Sequence, residues 1–275
     1  MTTFFIGWHQ PTNGVSGCHL FDNTMISINA LLKRKSDFVV KDWILDSGAF
    51  TRVTDPKRLG QKGKRKGHLS VKQYAKVIVR WHTCGNLLSA ASQDYICDSI
   101  VLDSTGLTIK DHQSLTIFRY VRLLEELKKL NKPYPHIMPV LQGYSIDDYL
   151  RHIDDYGELL KPDMWVGLGS VCSRSSNVGQ IESILIAIHK KRPDLKIHGF
   201  GLKGKALQSE CIQQLLYSAD SQAASYAGRR LDARNTKLGL PRVNAANDPR
   251  VALEYHNKIQ DHPMQKSFLL ELMLG

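Results

Sequence analysis

Trp43-Ile44-Leu45-Asp46-Ser47-Gly48-Ala49-Phe50 is the stretch from which the architecture of this chain is most directly read. Three apolar residues run straight into an acid, a hydroxyl and a glycine. That is the pattern of a fully buried strand whose C-terminal tip reaches the surface at a turn. Tips of the same kind, a polar residue or a glycine closing a short apolar run, recur at Asp94, Gln142, Gly167, Gly199 and Asp220.

Beyond this stretch the alternation becomes regular. Strands are predicted over 136–142, 164–167, 196–201 and 217–220, separated by helices over 146–160, 178–191 and 205–216. Toward the N-terminus the pattern predicts strands over 4–8, 43–46 and 86–94. Helices are predicted over Thr24–Lys35 with Asn23 as cap, from Ser70 to His82, and over Ile109–Leu130 with Thr108 as cap. Repeated β-α units imply a parallel sheet. Seven strands are marked and an eighth is expected, weakly, within Arg229–Val243, so the expected fold is α/β, a single (β/α)8 TIM-type barrel spanning 1–275. Two C-terminal helices, Val251–Gln260 and Met264–Leu274, should pack on it, the second apolar enough to dock on the barrel or on another copy in a homodimer.

With 275 residues, 42% of them hydrophobic, the chain can bury a large core. Lys and Arg number 37 against 26 Asp and Glu, a net charge of +11, which favours a polyanionic partner such as nucleic acid. The basic residues concentrate in two segments leaving strand tips. One holds Lys57, Arg58, Lys62, Lys64, Arg65 and Lys66; the other holds Arg229, Arg230 and Arg234. Each reads either as a solvated segment or as a set of phosphate contacts. The cysteines (Cys18, Cys84, Cys97, Cys172, Cys211) lie at least 13 residues apart with no C-x-x-C pair, as expected of reduced thiols in the cytoplasm. No run reaches membrane-spanning length and no secretory leader is visible, so a soluble, cytoplasmic protein without a membrane partner is expected.

A barrel gathers its strand C-termini around one mouth, so Asp46, Asp94, Gln142 and Asp220 should converge there. Any one of them alone reads as a turn or cap residue. Four polar tips at corresponding places ask for more, because a buried acid without partners is costly. Gly199-Phe200-Gly201-Leu202-Lys203-Gly204 also matches the G-x-G-x-x-G phosphate cradle. It lies late in the chain, and no acid ends a strand about twenty residues on, so no cofactor is expected.

Taken in order, the tips resemble those of the queuine/archaeosine tRNA-guanine transglycosylases. That family carries an Asp-Ser-Gly-Gly strand end, a Leu-Ser-led helix, an Asp tip, a Gln-Gly tip, a Val-Gly-Gly-Leu tip, a Met-Gly-x-Gly tip and a Phe-Asp nucleophile. Here they stand as Asp46-Ser47-Gly48-Ala49, Leu69-Ser70, Asp94, Gln142-Gly143, Val166-Gly167-Leu168-Gly169, His198-Gly199-Phe200-Gly201 and Ala219-Asp220. The family's zinc motif after the nucleophile is missing, since no Cys follows Cys211, so no metal is expected. The RNA-binding C-terminal domains of some members are missing as well, and Ala49 and His198 replace a Gly and a Met. These departures make the chain most similar to the phage and bacterial DpdA-type DNA transglycosylases, which implies host cytoplasm if it is phage-encoded.

The resemblance implies exchange of guanine in DNA for a 7-deazaguanine of the preQ0 type, with tRNA as the alternative substrate and a non-catalytic nucleic-acid-binding barrel as a further one. It implies Asp220 as nucleophile at C1′ and Asp46 as general acid/base. Asp94 would accept from the N1–H and N2–H₂ edge of the base. Gln142 and the backbone N–H groups near Leu168 and Gly169 would donate to O6, and Ser47, Gly143 and His198 would complete the pocket.

Overall fold

The computed structural model describes residues 2–8, 11, 17–60, 62–174, 177–241 and 244–260. Nine strands form one parallel sheet: β1 (Thr3–Trp8), β2 (Asn23–Ser27), β3 (Asp42–Asp46), β4 (Asn86–Ala91), β5 (His136–Met138), β6 (Val140–Leu141), β7 (Trp165–Leu168), β8 (Lys196–Gly199) and β9 (Ser218–Ser221). Their order is β5-β4-β3-β2-β1-β9-β8-β7-β6. β5 and β6 are one run of chain interrupted at Pro139, which has no N–H to give to a ladder. The two edges of the sheet therefore meet at a single residue. On one side Ser92 N donates to Met138 O at 2.9 Å, and on the other Gly167 N donates to Pro139 O at 2.8 Å. The product is a nearly closed parallel barrel with helices between its strands, the TIM-type architecture that the β-α alternation predicts.

Three elements differ from the expectation. Asn23–Ser27 is a strand, not the start of a helix over Thr24–Lys35. Its edges pair with β1 and β3, while Ile26 packs into the outer layer and Met25 into the barrel interior, so both of its faces are buried and its residues show no alternation of apolar and polar. Of the helically spaced Met25, Ile28, Leu31 and Leu32, Met25 lies on the strand, and Ile28 and Leu31 belong to the single turn Ile28–Leu31 that follows, capped by Ser27 and closed by Leu32. Correspondingly, the segment expected to hold the eighth strand is helical over Ala223–Lys237. β9 already pairs with β1, Phe4 opposite Ala219 and Phe5 opposite Asp220, so no strand position is left for it. The expected helix over 205–216 is two short ones, Gly204–Leu207 and Glu210–Leu215, with Ser209 capping the second while its hydroxyl donates to Glu182.

Capping boxes begin the helices Val71–Trp81, Ile109–Leu130 and Ile146–Tyr156, through Ser70 with Gln73, Thr108 with Asp111, and Ser145 with Asp148. The helix Pro249–Gln260 places Ala252, Tyr255 and Ile259 against the core. The second C-terminal helix, expected over Met264–Leu274, lies outside the described residues.

Period-two alternation along the strands divides the core in two. Phe4, Ile6, Ile26, Trp43, Leu45, Ile137, Val166, Ile197 and Ala219 face outward into the layer shared with the helices. Phe5, Met25, Ile44 and Met138 form a separate interior cluster, joined by Leu88, Trp165 and Phe200. Full burial of such a side chain contributes about 1.5–3 kcal/mol. The interior cluster also forms an apolar floor: one pleat beyond Ile44 comes Asp46, on the same inward face.

Candidate active site

At the tip of β3 the chain turns through Gly48, which has φ of +68°. A Cβ there would be strained by this left-handed backbone and would lie 2.4 Å from Asn29 Nδ2, so the turn favours glycine. It directs the Gly48 N–H at the Asp46 carboxylate, and the Ser27 hydroxyl donates to the same group from β2. Ser27 and Asp46 are register partners across the two strands. Burial in the mouth pushes the Asp46 carboxyl up to about 6, and the charge of Asp220 pushes in the same direction against those two donors.

Asp94, just past β4, is buried and accepts from Gln142 Nε2 and, at 3.3 Å, from Ser47 Oγ. Its carboxyl is raised to about 7, first by burial and second by the charge of Asp46, with the two donors holding it down. Gln142 is fixed from several sides. Its backbone N–H donates to His152 Nδ1 at 2.9 Å and its carbonyl accepts from Gln113 Nε2 at 2.6 Å. Its side-chain oxygen accepts from Ser170 Oγ, which itself accepts from Cys97 N at 2.8 Å. Because the backbone N–H of Cys97 can only donate, the Ser170 proton is directed to Gln142 Oε1, and the amide is turned with its NH₂ toward Asp94. Ser170 does this from a left-handed backbone with φ of +58°, an uncommon conformation for a residue with a Cβ. Gly169 makes room beside it: a Cβ there would stand 2.2 Å from Gln142 Nε2.

Asp220, on β9, is buried, and its Oδ1 accepts from Gly201 N at 2.9 Å and lies 3.3 Å from His198 Nε2. The second glycine of the G-x-G-x-x-G run thus aims its N–H at a carboxylate of the protein itself, which leaves that N–H no part in a phosphate cradle. The other ring nitrogen of His198 is 2.9 Å from Ser218 Oγ, which also accepts from Trp165 Nε1 at 2.8 Å.

The barrel therefore brings Asp46, Ser47, Asp94, Gln142, His198 and Asp220 to one mouth, where the field of Asp46 reaches Asp94 and that of Asp220 reaches Asp46. Other expected contributors are placed differently. The Gly169 N–H, expected to face a base carbonyl, donates to Leu141 O at 2.9 Å. Leu168 is buried and its carbonyl accepts from Phe200 N, while the Gly143 carbonyl accepts from Arg174 at 2.9 Å. Lys57, Lys62, Lys64, Arg65 and Lys66 are exposed in the segment after β3, with Arg65 donating to Ser104 O at 2.8 Å. The side chain of Arg58 lies outside the described residues. Arg229, Arg230 and Arg234 are exposed on the helix Ala223–Lys237 rather than in a loop. Ser27, Ser170, Ser218 and Trp165 were not singled out from the sequence. Ser27 would have been, had Asn23–Ser27 been read as a strand with a polar tip.

Among the described residues no group of three or more His, Cys, Asp or Glu could hold a metal ion, and no helix is long and apolar enough to cross a membrane. A parallel α/β barrel with interacting carboxylates at the C-terminal ends of its strands has the form in which TIM-barrel enzymes carry their chemistry. The chain matches the family DpdA, DeoxyPurine in DNA protein A, over residues 1–265, and belongs to it. That family is associated with DNA-modifying transglycosylase activity directed at deazapurines. No curated protein matches the chain.

Proposed function

We propose that this protein exchanges guanine in DNA for a 7-deazaguanine base of the preQ0 type by two displacements at C1′. The observation that carries the reading is the unlike pair Asp46 and Asp220. One carboxyl is pushed up to about 6 by burial, and the other accepts from Gly201 N and lies 3.3 Å from His198 Nε2. Two carboxyl groups in different environments are what retention through a covalent intermediate asks for. Asp220 attacks C1′ as the bond to guanine N9 breaks, and the leaving electron pair on N9 is protonated by Asp46. Asp46, now ionised, takes the N9 proton of the incoming base. That nitrogen attacks C1′ and releases the Asp220 carboxylate.

Asp94 accepts from the N1–H and N2–H₂ edge that guanine and its 7-deaza analogue share. The second N–H of the Gln142 amide has no acceptor among the described residues, and we assign it to O6. A target base in a duplex must leave the stack to enter such a mouth, at a cost of a few kcal/mol, which contacts from the basic segments to phosphates would offset. The test is to incubate the protein with a labelled 7-deazaguanine and either guanine-containing DNA or tRNA. Label should enter DNA. Incorporation into tRNA alone would overturn the substrate, and none into either would overturn the exchange reaction.

A further inference from the structure

We infer that His198 is a positioning residue for Asp220, and that the hydrogen-bond chain Trp165–Ser218–His198 selects Oδ2 of Asp220 as the oxygen that bonds to C1′. The inference rests on the reading of Asp220 as nucleophile. The chain has a direction because its first member can only donate. Trp165 Nε1 carries a hydrogen and no lone pair in the ring plane, so at 2.8 Å Ser218 Oγ is the acceptor. The single hydroxyl proton of Ser218 is then free to point at His198 Nδ1, 2.9 Å away. A ring that accepts at Nδ1 carries its proton at Nε2, and that N–H faces Asp220 Oδ1 at 3.3 Å. The opposite tautomer would set the Nε2 lone pair against a carboxylate oxygen with no proton between them.

The ring has little freedom to leave this position. His198 is fully buried, with edge-on contacts to Phe5, Trp165 and Phe200 at centroid distances of 6.1, 6.2 and 4.8 Å. It is also the register partner of Ser218 across β8 and β9. Gly201 N donates to the same Oδ1 at 2.9 Å. Two N–H groups thus converge on one oxygen, and among the described residues none donates to Oδ2. Donors on Oδ1 fix the plane of the carboxylate and draw charge toward that atom, which leaves Oδ2 as the uncommitted oxygen. His198 needs no contact with the base for this role.

The test compares His198→Leu, which removes the donor, with His198→Gln, which can return an N–H near the Nε2 position, and with Ser218→Ala, which unsets the tautomer. Folding of each is checked by thermal unfolding. His198→Leu should lower kcat for exchange by about 10²-fold, the cost of a nucleophile displaced by about an ångström, with KM for DNA unchanged. His198→Gln should recover most of that activity, and folded Ser218→Ala should show a lower kcat without a change in KM. Equal activity in His198→Leu, His198→Gln and wild type, or an unchanged kcat in folded Ser218→Ala, would overturn the positioning role. Asp220→Asn separates the two claims. If it retains exchange, the nucleophile is misassigned; if it is inactive while His198→Leu matches wild type, the positioning role alone fails.

Discussion

Asp94 shows how a single side chain couples the site to stability. Its carboxyl stands at about 7 in the folded protein against an ordinary 3.8, so the folded state binds the proton more tightly than the unfolded chain does. Between about pH 4 and pH 7 the folded state therefore holds more protons, and its stability falls as pH rises through that window. Asp46, raised to about 6, acts in the same direction. Asp94→Asn should then raise the melting temperature relative to wild type at pH 8, with most of the gap closed by pH 4, where the wild-type carboxyl is protonated in the folded state and partly so in the unfolded one. Thermal scans at the two values check this; an equal gap at both would mean that burial does not set this carboxyl. Asp46, Asp94, Gln142 and Asp220 were legible in the sequence because each ends an apolar run, and period-two alternation then turns them inward. Ser170 was not legible. Its role depends on a left-handed backbone and on a partner, Cys97 N, that is 73 residues away in sequence.

At the scale of elements, the signal failed where an element is buried on both faces. Asn23–Ser27 lacks alternation because Ile26 is buried in the outer layer and Met25 in the barrel interior, and Met25 with Ile28, Leu31 and Leu32 of the turn that follows makes a helical spacing that masks five residues of strand. The helix Ala223–Lys237 was missed for the opposite reason: an eightfold barrel asked for one more strand after Asp220, although Ala and Arg are good helix formers. This changes what the two basic segments can do. The segment after β3 carries Lys57, Lys62, Lys64, Arg65 and Lys66 exposed, and it ends at His68, whose Nε2 lies 3.0 Å from Asp94 O. A helix rises about 1.5 Å per residue, so Arg234 stands roughly 16 Å along its axis from Ala223. Neutralising Lys62, Lys64 and Lys66 should weaken DNA binding and reduce the slope of log affinity against log salt by about 0.9 for each phosphate that the segment no longer neutralises. Titrations at several salt concentrations measure it, and an unchanged slope would leave this segment merely solvated.

For the molecule as a whole, the ring is what turns scattered tips into one site. β3 and β4 are far from β8 and β9 in sequence, yet the ring order carries their C-terminal ends to a common mouth above an apolar floor of Phe5, Met25, Ile44 and Met138. The alternation of units made the ring legible; its closure at Pro139 was not, because a broken strand and a continuous one look alike in a short apolar run. The reaction proposed for this mouth is tested most directly by trapping and mapping the covalent intermediate. In Asp220→Asn the side-chain oxygen can keep both donors on Oδ1 while NH₂ replaces the free Oδ2, so fold and DNA binding should persist while exchange is abolished. The wild-type protein, denatured during turnover on guanine-containing DNA, should yield a protein–DNA adduct whose mass maps to the peptide holding Asp220, and the variant should yield none. Full exchange activity in Asp220→Asn, or an adduct mapping to another residue, would contradict the account.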